Sequence, residues 1–257
     1  MNVLLVRADG TPDEDAHALR ARGIDVTAEP FIVVAAARDP GAPTRARRLL
    51  DALAGPDAWL IATSAAGLRA LASLVGHDAV SGAVQGAAAN GARFAAVGPA
   101  SARALREAGA PEVVQPTAGH TASALLAALR PFSPATAVLP RSSAGDELLP
   151  RTLGARGWSV VAEVVYDTTP VDVRPAAAGR LAQGAFDALV LRSPSAARAV
   201  ARHAGRIPAR TKVIAGGPTT ALAARRLGIA VAAVAPDSRA ASIAASVIEA
   251  LHGRDLP

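Results

Sequence analysis

The chain carries an internal repeat, and a duplicated unit restricts the possible folds more than any other feature of the sequence. Three landmarks occur twice in the same order. The first is an apolar run ending in arginine, then a helical stretch, then a second strand. Val3–Arg7, Asp13–Arg22 and Gly23–Val34 are matched by Ala137–Arg141, Glu147–Arg156 and Gly157–Asp167. The second is a strand followed by a serine-bearing turn, Ala58–Ser64 against Asp187–Ser193, and here 193 − 64 and 198 − 69 both give 129. The third is Arg93–Ser101 against Lys212–Thr220, where 218 − 99 and 228 − 109 both give 119. The helix after each third landmark ends in glycine, at Gly109 and Gly228, as a residue just past a helix end prefers.

Each copy alternates short apolar strands with helical stretches of about 10–14 residues, the pattern of parallel strands buried on both faces. This predicts an α/β fold with two doubly wound parallel-sheet domains. The change of offset places an insertion at Gly76–Gly91, whose small residues predict a flexible surface loop.

In open parallel sheets, ligands sit beyond the carboxyl ends of the strands. The repeated hydroxyls Thr63, Ser64, Ser101, Ser193, Ser195, Thr219 and Thr220 fall there, at strand-to-helix turns. A hydroxyl at such a turn caps the helix, while the free backbone N–H groups attract carboxylate or phosphate. Taken singly, each hydroxyl is more often a plain cap than a ligand contact. Four such turns around one cleft, together with the two that follow Arg7 and Arg141 at the ends of the first strands and with Arg192 before Ser193, favour a polyanion site; each arginine is equally readable as a solvated side chain.

Other chemistry is restricted by composition. With no cysteine, thiolate metal sites, disulfides and cysteine nucleophiles are excluded. The five histidines show no paired ligand spacing, and the Gly98-Pro99 and Gly217-Pro218 phrases lack the spacing of a nucleotide-binding loop. Neither a serine-nucleophile elbow nor a carboxylate pair is evident. Net charge is +6, but the arginines are dispersed and aromatics are only 3%, so a nucleic-acid role is poorly supported. No apolar run approaches the roughly 18 residues of a membrane span, and the opening MNVLLVR has no leader-like layout, so a cytoplasmic location is expected.

Several phrases, taken together and in order, resemble the uroporphyrinogen-III synthase family along almost the whole chain. They are Val3–Arg7 with Ala18–Gly23, Ala62–Leu71, Ala96–Gly109, Val164–Thr168, Leu191–Ala199 and Gly216–Gly228. The resemblance implies two Rossmann-like domains joined by a two-stranded connector, with the ligand cleft between them. One domain would combine 1–35 with 168–257 and the other would span 38–165, with connectors near 36–37 and 166–167. It further implies a cofactor-free, monomeric lyase that cyclises hydroxymethylbilane, inverting its last pyrrole ring through a spiro intermediate. The enzyme that makes hydroxymethylbilane is the partner it suggests.

By the same resemblance Tyr166 assists departure of the substrate hydroxyl, or else only fills a groove beside the connector. Arg7, Thr63, Ser64, Ser101, Thr121, Arg141, Ser142, Arg192, Ser193, Ser195, Thr219 and Thr220 would contact substrate. One departure from the family pattern is the Ala8-Asp9-Gly10 turn after Arg7, where relatives often have proline. The rival readings are a non-catalytic tetrapyrrole- or anion-binding paralogue and a two-lobed anion binder.

Overall fold

The computed structural model describes residues 1–8, 14–237 and 239–253, so the Asp9-Gly10 turn lies outside the described residues. In chain order the elements begin β1 (Asn2–Ala8), α1 (Glu14–Arg20), β2 (Asp25–Ala36), α2 (Ala42–Leu53), β3 (Ala58–Ala62), α3 (Ala65–Val75) and α4 (His77–Ala89). Next come β4 (Arg93–Ala96), α5 (Pro99–Glu107), α6 (Ala122–Ala128), β5 (Thr136–Ser142), α7 (Leu148–Ala155) and β6 (Ser159–Pro170). The last are α8 (Ala176–Ala182), β7 (Ala188–Leu191), α9 (Pro194–Ala204), β8 (Lys212–Ala215), α10 (Pro218–Arg226), β9 (Ala233–Val234) and α11 (Ala240–His252).

The chain is a mixed α/β protein that divides into two compact units, and within each unit the strands pair in parallel. One unit combines Met1–Val34 with Thr168–Pro257, and the other is Ala35–Asp167. In the discontinuous unit the strand order is β2-β1-β7-β8-β9. In the continuous unit it is β6-β5-β3-β4, extended past β4 by a parallel bridge from Ala95 to Val114. The two orders are equivalent. In each, the first two strands of one copy of the repeat pair with the last three of the other, so the copies have exchanged halves.

Strands buried on both faces need apolar side chains at consecutive positions. β1 meets this need by alternation in the discontinuous unit. Leu4 and Val6 pack with Leu189, Leu191 and the residues of α8 and α9. Val3 and Leu5 pack with Val190, Ile214 and the residues of α1 and α11. In the continuous unit, β3 is buried along its whole length. Trp59 and Ile61 pack there with Ala137, Leu139, α6 and α7, and the Trp59 ring meets Phe132 edge-on at 4.8 Å and Trp158 at 5.7 Å.

The segment predicted to be a flexible loop is a helix instead. α4 occupies His77–Ala89 and buries Val80, Val84 and Ala87, an i, i+4, i+7 stripe against the unit's core. Its alanines are the best helix formers, and Asp78 stands in the first turn, where a negative charge suits the helix dipole. Several other helices are shorter than predicted, α1, α6 and α8 having seven residues each. The repeated glycines fulfil their predicted role, since Gly109 and Gly228 follow the ends of α5 and α10 at φ +110° and +75°. Replacing Trp59 with alanine should cost about 3–5 kcal/mol of unfolding free energy, measured as a lower midpoint in denaturant titration.

Candidate functional site

The carboxyl ends of the continuous unit's strands bring several candidate side chains together. After β3, half-buried Thr63 is followed by Ser64, whose extended backbone (φ −154°, ψ 143°) lets its Oγ accept a 3.2 Å hydrogen bond from the Ala66 N–H and cap α3. α3 lies close against β5, because a Cβ added at Gly67 would stand only 3.1 Å from the Pro140 carbonyl oxygen. Glycine therefore lets the capped end of α3 approach the strand that carries Arg141.

Arg141 is held by the loop that follows it. Its Nη2 donates to the carbonyls of Gly145 (3.2 Å) and Asp146 (3.1 Å) and to Glu147 Oε1 at 2.6 Å. The guanidinium side is only 14% exposed, whereas Glu147 is 55% exposed, so the arginine is the fixed member of the pair. Ser142 accepts from the Ala144 N–H at 3.2 Å and tightens the same loop.

Tyr166 completes this group. Its ring is buried, at 6% exposure. Burial pushes its phenol above the ordinary value, while the Ser64 hydroxyl and the Arg141 and Arg69 guanidiniums act in the opposite direction. Tyr166, Ser64 and Arg141 are thus gathered from β6, β3 and β5. Arg69 was not singled out from the sequence; its only signal is its place just past the first turn of the helix that Ser64 caps.

The pairing register makes the place of Tyr166 more informative. Register shifts between Arg7 and Ala8 in the β1–β2 pair, and between Arg141 and Ser142 in the β5–β6 pair. Ala8 then faces Ile32, and Ser142 faces Tyr166. The same irregularity recurs in both copies of the repeat, with the apolar, buried Ile32 where the second copy has the phenol. An aliphatic side chain fills this position in one copy, so packing alone does not require the Tyr166 hydroxyl.

The other predicted residues of this unit are placed differently. Thr121 caps α6, its Oγ1 accepting from the Ala124 N–H at 3.1 Å. Ser101 is not a cap: it is the third residue of α5, 6% exposed, and Gly98 holds the cap position. Glycine at the cap position carries no side chain that could accept from the first-turn N–H groups, and proline follows as the first helical residue.

At the corresponding edge of the discontinuous unit, Arg7 lies half-buried near the end of β1. Arg192 is exposed and pairs with Asp15 at 2.7 Å, a surface contact of small energetic weight. Ser193 caps α9 by accepting from the Ala196 N–H at 3.2 Å, and its Oγ lies 2.9 Å from that of Ser195. Ser195 is therefore a first-turn residue bonded to the cap. Thr219 and Thr220 are also first-turn residues, the first exposed and the second 3% exposed, behind a cap at Gly217. Hydroxyl capping thus holds at Ser64, Thr121 and Ser193 and fails at the Gly-Pro turns, where glycine and proline begin the helix.

The family model of uroporphyrinogen-III synthase HemD matches residues 13–245. The chain belongs to the uroporphyrinogen-III synthase family. It is accordingly a cyclising lyase acting on a small-molecule substrate. Its fold is similar to that of a mutant uroporphyrinogen III synthase from the extremely thermophilic bacterium Thermus thermophilus, at 23% identity and TM-score 0.59, covering 98% of this chain and 99% of that one. It is also similar to uroporphyrinogen-III synthetase from Helicobacter pylori, at 15% identity and TM-score 0.58, covering 97% of this chain and 99% of that one. No curated protein sequence matches the chain significantly. Among the described residues no helix is long and apolar enough to cross a membrane.

Tyr166 is the only tyrosine, so its ionisation is directly readable from phenolate absorbance in the near ultraviolet. In the folded protein it should ionise above the ordinary value of 10.0, and in denaturant it should return to that value. The neutral buried phenol then contributes stability that is complete below the unfolded value and lost as pH rises through the folded one.

Proposed function

We propose that the chain converts hydroxymethylbilane to uroporphyrinogen III, with loss of water and inversion of ring D through a spiro intermediate, and that Tyr166 assists departure of the hydroxyl. The observation that carries the catalytic assignment is the phenol at a position where the duplicated scaffold otherwise uses Ile32. Burial keeps this group neutral and able to donate at neutral pH. Its O–H proton goes to the departing hydroxyl, which leaves as water. Electrons of the pyrrole drive that departure, and the phenolate regains a proton as the macrocycle closes and the ring becomes aromatic again. Most of the rate would come from positioning, by folding the linear chain so that ring D is turned before closure.

The substrate carries eight carboxylates, which suits several modest anion contacts better than one strong site. Arg7, Arg141, Thr63, Ser64, Ser101, Thr121 and Ser142 are proposed contacts, as are Ser193, Ser195, Thr219 and Thr220, chiefly through first-turn backbone N–H groups. Arg192 is included with its Asp15 partner exchanged for substrate. The strand orders support reading the units as doubly wound domains, 1–35 with 168–257 and 38–165. The Ala37 N–H donates to the Val165 carbonyl at 2.9 Å, which supports a two-stranded connector near 36–37 and 166–167. A cytoplasmic monomer supplied by hydroxymethylbilane synthase, and needing no cofactor, completes the proposal.

The test is a coupled assay with freshly generated hydroxymethylbilane, followed by oxidation and chromatographic separation of uroporphyrin isomers. Predominantly type III product is expected. Only the spontaneous type I isomer from folded protein would overturn the enzymatic reading in favour of a binding paralogue.

A further inference from the structure

His120 stands just before the cap of α6, and its ring lies against Gly98, the cap residue of α5. A Cβ added at Gly98 would be 3.4 Å from the ring Cγ and Nδ1. Nδ1 is buried and makes no hydrogen bond among the described residues, while the residue as a whole is only half-buried. For the neutral ring these facts select the tautomer. A buried N–H without an acceptor is costly, while a bare ring nitrogen against carbon costs less, so the proton belongs on Nε2. The result is an N–H donor at the carboxyl edge of the continuous unit's sheet, beside the start of α5.

We propose that His120, as its Nε2–H tautomer, is a specificity-determining residue that donates a hydrogen bond to a carboxylate of the tetrapyrrole substrate. The inference rests on the proposed synthase reading for its ligand. Three features of the chain support it. The ring is wedged against a backbone with no side chain, so its direction is restrained. The buried nitrogen has no competing partner that would reverse the tautomer. The neighbouring Thr121 Oγ1 already accepts from Ala124, which ties the residue after His120 to the start of α6.

Substitution separates donor geometry from simple packing. His120→Ala removes the donor and should raise KM about tenfold with little change in kcat, as expected for a contact made equally in ground and transition states. His120→Gln places an amide N–H near the Nε2 position and should restore KM to within about threefold of the parent. His120→Asn places its N–H near Nδ1 instead and should behave like the alanine variant. Long-range proton–nitrogen correlation spectra of histidine-labelled protein should show His120 protonated at Nε2, with that resonance moving when uroporphyrin III is added.

Equal KM values for the parent, alanine and glutamine forms, with type III product from all, would overturn the proposal while leaving the synthase reading intact. So would a resonance protonated at Nδ1. A parent that made only type I isomer would defeat the synthase reading separately. Affinity for uroporphyrin III would then decide this inference: weaker binding by His120→Ala, rescued by His120→Gln, supports it, and equal binding overturns it. Thermal melting of each variant identifies any that fails to fold, and the tautomer spectrum of the parent remains decisive in that case.

Discussion

Backbone pairing between strands from different copies of the repeat is the interaction on which the rest of the structure depends. β1 bonds to β7 across Val3–Val6, and β3 bonds to β5 across Ala58–Leu60. Each pairing joins the opening of one copy to the close of the other. Without the β1–β7 ladder, Leu4 and Val6 would lose Leu189 and Leu191 as neighbours, and the α8 and α9 face of that sheet would have nothing to cover. The equivalent ladder in the continuous unit brings β3, with its run of buried residues, against β5 and thereby sets Ser64 near Arg141.

Parallel strands also dictate where the chemistry lies. All strands of a unit end at the same edge, so every strand-to-helix turn presents its unpaired N–H groups there. This creates a surface suited to carboxylates before any charged side chain is added. Arginine then adds directed donors. The two arginines that end the opening strands, Arg7 and Arg141, belong to the duplicated scaffold and recur with the same register shift. The phenol of Tyr166 does not recur, because its counterpart is Ile32. Duplication supplied this edge twice, and a single divergent position set a phenol beside one of them.

Much of the fold was legible in the sequence, for a physical reason. Strands buried on both faces must be apolar throughout, so Val3–Val6, Ala58–Ala62 and Ala188–Leu191 stood out without any alignment. The left-handed glycines Gly109 and Gly228 marked the ends of α5 and α10 because few other residues adopt that backbone without strain. The exchange of halves was not legible from the residues, since a strand pairing with its own copy needs the same side chains as one pairing with the other. α4 was misread because alanine and glycine look loop-like when the sparse Val80, Val84 and Ala87 stripe is overlooked. At the site, the serine-bearing turns were visible, but which hydroxyl caps depended on whether glycine holds the cap position, as Gly98 and Gly217 do. Arg69 gave only a weak local signal, its place after the Ser64 cap, and His120 gave none, because their significance arises from what the fold sets beside them.

The claim at the centre of this account is that the Tyr166 hydroxyl carries chemistry that its aliphatic counterpart does not. The most direct measurement is kcat of Tyr166→Phe at saturating hydroxymethylbilane, with isomers separated. A loss of general-acid assistance predicts a fall of about 100-fold or more in kcat with KM little changed, while the residual enzymatic product remains type III. An unchanged kcat would contradict the account and leave Tyr166 as a packing residue, like Ile32.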